Sequence, residues 1–158
     1  MFISLLLAFL AGAIAATLIL MAVARAQMIQ VAASPLGFDE TVSALEDGAM
    51  AAEGWSSPGT RDLNAMMAKH GVEFQPRIRL VEMCKAPYAA EVLRDDRKIA
   101  TLMPCAVAVY EDDQGRVWYS KMNVGLMARL FGGTVGRVMG LGVAREERQI
   151  LASLHRVG

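Results

Sequence analysis

From Met1 to Ala24 the chain carries no Asp, Glu, Lys, Arg or His, and its 16 basic and 16 acidic residues all lie beyond that point. A helix rises 1.5 Å per residue, so this apolar run reaches roughly 36 Å, enough to cross a hydrocarbon core of about 30 Å. The remainder then has to fold as a separate body beside a bilayer. There, charged side chains make up about a quarter of the residues, an ordinary share for a globular domain. The mean hydropathy of +0.35 therefore comes from one segment. Residues 1–25 are expected to form a single-pass transmembrane anchor, or an uncleaved signal. Residues 28–157 are expected to form one domain large enough to bury a core without disulfides or metals.

The leading segment has a rival reading. Ala24-Arg25-Ala26 resembles a small-x-small cleavage site. Against cleavage, no basic n-region precedes the run, which is longer than the usual h-region of about 7–15 residues, so the balance favours a retained anchor. Arg25 is the only Lys or Arg close to the end of the span, which leaves the positive-inside rule little to weigh. The signal-like flank suggests the inner (cytoplasmic) membrane with the domain on the periplasmic side. Ala8, Gly12 and Ala16 recur every four residues. Such a small-residue row lets two transmembrane helices approach closely, although an Ala-rich span also produces one by chance. The expected partners are the lipid bilayer and either a membrane protein or a second copy of the chain. The charges balance, they alternate in sign, and no basic stripe interleaved with aromatics exists, which argues against nucleic acid.

Met28 to Ser34 reads as a first strand, ended by Pro35 and Gly37. Phe38, Val42, Leu45, Ala49 and Ala52 share one helix face, with Asp39 as the cap and Gly54 as the stop. Ser56-Ser57-Pro58-Gly59 reads as a loop, and Thr60 as the cap of a short helix through Leu63, Met66, Met67 and His70. Arg77 to Cys84 alternates as a strand, with Ile78, Leu80, Glu82 and Cys84 on one side. Pro87 opens a helix. Cys105 to Glu111 is apolar on both faces, hence a central strand, and Asp112-Asp113-Gln114-Gly115 turns it into Arg116 to Met122 as a hairpin. Asn123 caps a helix through Phe131, and Thr134 to Val157 is helical with breaks at Gly136, Gly140 and Gly142. This order predicts an α+β domain, a small mixed or antiparallel sheet covered by helices on one face.

The stretches SPLGFDETVSALEDGAMAAEGW, RIRLVEMCKAPYAAEVL, MPCAVAVYED and MNVGLMARLFGG resemble the domain-of-unknown-function 302 family. The resemblance covers roughly Met28 to Leu154, with the elements in the family's order. It implies a small α/β domain with a topology similar to that of the TATA-binding protein, often homodimeric. The family has no established reaction, and DNA binding does not follow from a topology.

The two cysteines, Cys84 and Cys105, end one strand and begin another. Antiparallel pairing makes the sulfurs neighbours, while parallel pairing separates them by about 20 Å. They read as buried reduced thiols, as a structural disulfide, or as a working pair in redox or soft-metal chemistry. Glu82 falls on the Cys84 side, where a carboxylate beside a thiol can accept a proton or join a ligand set. A salt bridge from Glu82 to Arg77, Arg79 or Lys85 is the plainer account. Met83, Met103 and Met122 lie near the cysteines, and soft sulfur ligands suit Cu(I), yet Met also commonly fills gaps in a core. No CxxC, HxxxH, CxxCH, GxSxG, GxxxxGK[ST] or GxGxxG stands in the chain, so no cofactor and no resident metal are expected. His70 and His155 read as helix-end residues. The leading expectation is a membrane-anchored binding domain, an accessory to a membrane complex. The alternative is a thiol-dependent redox or copper-handling protein using Cys84 and Cys105.

Overall fold

The computed structural model describes residues 2–155, with side chains from residue 9 onward. The Ala8 side chain and Val157, both named above, lie outside the described residues. Helix α1 (Phe2–Met28) is apolar enough over Phe9–Met28 to cross a membrane by length and composition. Helix propensity carries it past the expected boundary at residue 25, through Arg25 and Gln27. It passes without a linker into strand β1 (Ile29–Ala33).

The domain continues as α2 (Phe38–Ala51), β2 (Trp55–Asp62), α3 (Leu63–Ala68), β3 (Ile78–Lys85), α4 (Ala86–Asp95), β4 (Cys105–Glu111), β5 (Val117–Met122), α5 (Val124–Phe131), α6 (Gly133–Arg137) and α7 (Ala144–Leu151). A 3₁₀ turn over Arg97–Leu102 leads into β4, a π-helical turn over Val138–Val143 joins α6 to α7, and a last 3₁₀ turn covers Ala152–His155. The five strands form one sheet in the order β1-β5-β4-β3-β2. Every neighbouring pair is antiparallel, which makes the domain α+β.

Side-chain alternation gives the sheet two unlike faces. Val81, Met83, Val107 and Val109 are fully buried under the helices, packed with Leu45, Val92, Ile150 and Leu154 in one core. The opposite, more open face carries Ile78, Leu80, Glu82, Ala106, Ala108 and Trp118, all half-buried. On α2 the expected apolar face is the buried one: Phe38, Val42, Leu45 and Ala49 all point inward.

Several expected boundaries fail for tertiary reasons. Residues 56–59 are not a loop but the middle of edge strand β2, which holds a register shift between Ser56 and Gly59. An edge strand tolerates Pro58 because one side of it needs no ladder donor. Ser56 and Ser57 hydroxyls span the irregularity, donating to the Cys84 and Glu82 carbonyls at 3.2 and 2.9 Å. Thr60 lies within that strand and donates to Glu46, while Asp62 caps α3 through the Ala65 N–H. On α2 the Glu40 carboxylate accepts from the Gly37 N–H at 3.0 Å. Asp39, expected as the cap, instead receives Arg77 and Arg79 at 3.1 and 2.7 Å. The expected interruptions fall where the α-helix changes form: α6 ends just after Gly136, and Gly140 and Gly142 lie in the π-helical turn before α7, while Gly136 and Gly142 also let neighbouring elements close. A Cβ at Gly136 would stand 2.7 Å from the Ala128 carbonyl oxygen, and one at Gly142 would stand 2.8 Å from the Tyr88 ring.

Candidate functional site

The β4–β5 ladder runs from Glu111–Val117 only as far as Val107–Lys121. Cys105 and Ala106 continue β4, but there they pair with Met83 and Glu82 of β3 alone. On the other side Met122 continues β5, paired with Ile29 of β1. Where β4 and β5 stop pairing, a cleft of about 380 Å³ opens, with lining residues from all five strands. Its apolar wall includes Leu80, Ala106, Ala108 and Met122 from the open face of the sheet, and Met127 and Met139 from the helices. The segment from Thr101 to Pro104, which enters β4, forms one side.

Lys121 and Glu147 also line this cleft. Lys121 lies opposite Val107, so it projects to the helix-covered face. Glu147, on α7, is only 2 % exposed, and the Lys121 ammonium donates to its Oε2 at 2.6 Å. Burial pushes the Glu147 carboxyl upward, and the hydrogen bond from Lys121 opposes that push. A charge pair held this far from water is expensive to create and more expensive to break on one side. Neither residue was singled out from the sequence, but each carries a signal. Lys121 stands between Tyr119 and Asn123 on the core-facing side of a strand. Glu147 occupies an inward step of the row Ala144, Glu147, Ile150, Leu151, Leu154.

The neighbouring Glu146 is a structural counterpart on the same helix. Its carboxylate accepts from Trp55 Nε1, Lys85 Nζ and Tyr88 Oη, each at 2.7 Å. Burial alone would raise its carboxyl; the three donors outweigh that and bring it to about 2. Trp55 begins β2, Lys85 ends β3 and Tyr88 begins α4, so one carboxylate joins three elements to α7.

The two cysteines come within one register step of each other, and both border an apolar void of about 40 Å³. β3 and β4 are antiparallel, and Cys105 stands opposite Met83, one residue from Cys84. Alternation then sends the Cys105 side chain to the helix-covered face with Met83 and the Cys84 side chain to the open face. Both thiols are free. Cys105 stands between this void and the large cleft. Burial, then the Glu147 carboxylate, then Cys84 push its thiol up to about 11, so it is protonated at neutral pH. Glu82 does share the open face with Cys84, but its carboxylate is held by Arg61 of β2. That partner is not among the Arg77, Arg79 and Lys85 alternatives, because the β2–β3 pairing which supplies it was hidden in a stretch that read as loop. Among the described residues no group of three or more His, Cys, Asp or Glu side chains is placed to hold a metal ion. On α1, Gly12 and Ala16 lie one helical turn apart on exposed surface.

Comparison with known proteins agrees with this architecture. No curated protein matches the chain. The crystal structure of an uncharacterized conserved protein DUF302 from Bacillus stearothermophilus superposes with a TM-score of 0.65 at 19 % identity, covering 82 % of this chain and 97 % of that one. At that identity the likeness concerns the fold. The family model for the domain of unknown function DUF302 matches residues 29–153, from the first residue of β1 to the final 3₁₀ turn. With four-fifths of its length matched in this way, the chain belongs to the DUF302 family.

Proposed function

We propose that this chain is a membrane-tethered binding domain that takes a small ligand into the cleft between β4 and β5 and serves as an accessory to a larger membrane complex. The observation that carries the reading is the cleft itself. It has the size of a small-molecule site, with mostly apolar walls and a few convergent polar groups, here Lys121 and Glu147. Binding is favoured over catalysis because the polar groups at hand are quenched: Lys121 and Glu147 neutralise each other, and Cys105 is held protonated. The apolar helix α1 supports the tether, and the small-residue flank at Ala24-Arg25-Ala26 supports a periplasmic facing. A second copy, packed through the Gly12–Ala16 side of α1 or through the open sheet face, is one form the complex can take.

Two measurements test the reading. Alkaline carbonate extraction should leave the full chain in the membrane pellet, and recovery of the domain in the wash without its first residues would remove the tether. Native mass spectrometry of the full chain, purified in mild detergent, should reveal a bound small molecule that is missing from Ala108→Trp. An identical adduct in that variant would remove the cleft from the proposal.

A second reading rests on one specific observation: Cys105 and the thioethers of Met103, Met122, Met127 and Met139 line the same cleft, a soft-donor set suited to Cu(I). It differs from the thiol-pair reading because Cys84 does not line this cleft. Competition for Cu(I) against a chromophoric chelator decides it. Retention of copper that is lost in Met103→Leu with Met139→Leu supports it, and failure of the wild-type chain to compete removes it.

A further inference from the structure

The cleft sits at the foot of the apolar helix. α1 ends at Met28, and the next residue, Ile29, lines the cleft and is 52 % exposed. The Asn123 N–H donates to the Met28 carbonyl at 2.8 Å, and the Asn123 side-chain amide donates to the Gln27 carbonyl at 2.9 Å. The same Asn123 caps α5 through the Leu126 N–H at 3.0 Å. The end of α1, the start of β1 and the β5–α5 junction are therefore clasped as one corner, and Ile29, Met122 and Val124 belong both to that corner and to the cleft wall. Arg25, the only charged residue of α1, marks the end of the apolar run. Ile29 lies four residues beyond it, about 6 Å along a helix. With α1 in a bilayer, the Asn123 clasp would hold the cleft mouth close to the membrane surface.

The chemistry of the lining selects what can enter. Ala106 and Ala108 on β4 lack the bulk to fill the space above them, and Leu80 and Met122 flank them with apolar surface. The polar groups carry no net charge: Lys121 is paired with Glu147, and Arg61 with Glu82. A charged head group would take one partner from the Lys121–Glu147 pair and leave the other buried without compensation. A neutral head with a hydroxyl or carbonyl can accept from Lys121 or donate to Glu147 and leave the pair intact. About 380 Å³ is near the small end of ligand pockets, room for a head group and the first part of one chain.

We infer that the cleft between β4 and β5 takes up a neutral single-chain amphiphile directly from the bilayer, through the mouth at Ile29 and Met122, with its polar head at Lys121 and Glu147. The inference rests on the proposed reading of α1 as a membrane span and of the cleft as a ligand site.

The test uses the full chain in phosphatidylcholine nanodiscs with two photoreactive probes, a monoacylglycerol carrying a diazirine in its chain and the corresponding fatty acid. Irradiation followed by peptide mapping should place the monoacylglycerol label on Ile29, Ala106 and Met122 as well as on α1. Ala108→Trp should lower cleft labelling at least tenfold and leave α1 labelling unchanged. In case that variant folds poorly, Lys121→Met with Glu147→Met replaces the charge pair by apolar groups of similar reach; it should also lower labelling by the monoacylglycerol several-fold. Label confined to α1 overturns the inference while leaving the tether in place. Cleft labelling that neither variant changes, or a fatty-acid probe that labels the cleft better than the neutral one, overturns it as well. A chain that acquires no label on α1 is not a spanning protein, and the tether and the inference then fall together.

Discussion

Lys121 of β5 and Glu147 of α7 meet at 2.6 Å across the boundary between sheet and helix layer, both largely withdrawn from water. The pair holds α7 to the splayed end of the β4–β5 ladder, which makes it both a structural tie and the polar end of the cleft.

Because each charge is the other's direct ion-pair partner, single and double substitutions should differ sharply. Glu147→Met or Lys121→Met alone leaves an unpaired buried charge and should destabilise the domain by about 3–5 kcal/mol. The double replacement, Lys121→Met with Glu147→Met, should come close to wild type. Denaturant unfolding of the full chain in mild detergent, arranged as a double-mutant cycle, measures the difference. Additive losses would show that the two side chains are not coupled.

Glu146 makes the domain acid-sensitive in a definite window. Its carboxyl falls from an ordinary 4.5 to about 2 in the folded chain, where burial opposes the shift and Lys85, Trp55 and Tyr88 impose it. A depressed carboxyl contributes stability that is complete above its unfolded value and disappears as pH falls through the folded one. The contribution is on the order of 3 kcal/mol, lost between pH 4.5 and about 2. Glu146→Gln should lower stability at pH 7 and flatten this part of the stability–pH curve. An unchanged acid limb would show that the three hydrogen bonds are not the cause.

The cysteines should behave independently. With its thiol at about 11, Cys105 should react with iodoacetamide at a rate that climbs about tenfold per pH unit well past pH 9, since only the thiolate attacks. Mild oxidation with diamide should produce no Cys84–Cys105 disulfide, because side chains on opposite faces of a sheet cannot bring their Cβ atoms within bonding range. Peptide mapping of labelled thiols before and after oxidation checks both expectations. A recovered disulfide would refute the assignment of faces.

Gly136 of α6 sits against the Ala128 carbonyl of α5. A methyl group there meets the Ala128 carbonyl oxygen at 2.7 Å, and a backbone atom within a packed helix has little freedom to retreat. Gly136→Ala should therefore destabilise by about 1–3 kcal/mol, even though alanine is the better helix former by about 1 kcal/mol. A melting temperature equal to or above wild type would show that the two helices are free to separate.

How much of this was legible beforehand depended on the range of the interaction involved. The Asn123 cap needs only a side-chain amide oxygen three residues before an N–H, and the Phe38–Ala49 face needs only a period of 3.6. Both are written locally, as is the uncharged run that forms α1. Residues 56–59 read as a loop because Ser, Pro and Gly favour turns, while the pairing of β2 with β3 comes from residues 17 to 30 positions away. The cysteine question turned on which way β3 and β4 run. Local alternation then assigns a face to each thiol, but the register that sets Cys105 against Met83 comes from the ladder.

The amino-acid order by itself determined a spanning-length apolar helix, an α+β succession of elements and the absence of familiar catalytic motifs, because each depends on composition or on neighbours within a few positions. Only the tertiary structure decided that Lys121 would find Glu147, that β4 and β5 would part to leave a cleft, and that Asn123 would clasp that cleft to the foot of the helix. Those outcomes depend on distant parts of the chain sharing one buried space, where the cost of an uncompensated charge selects the partner.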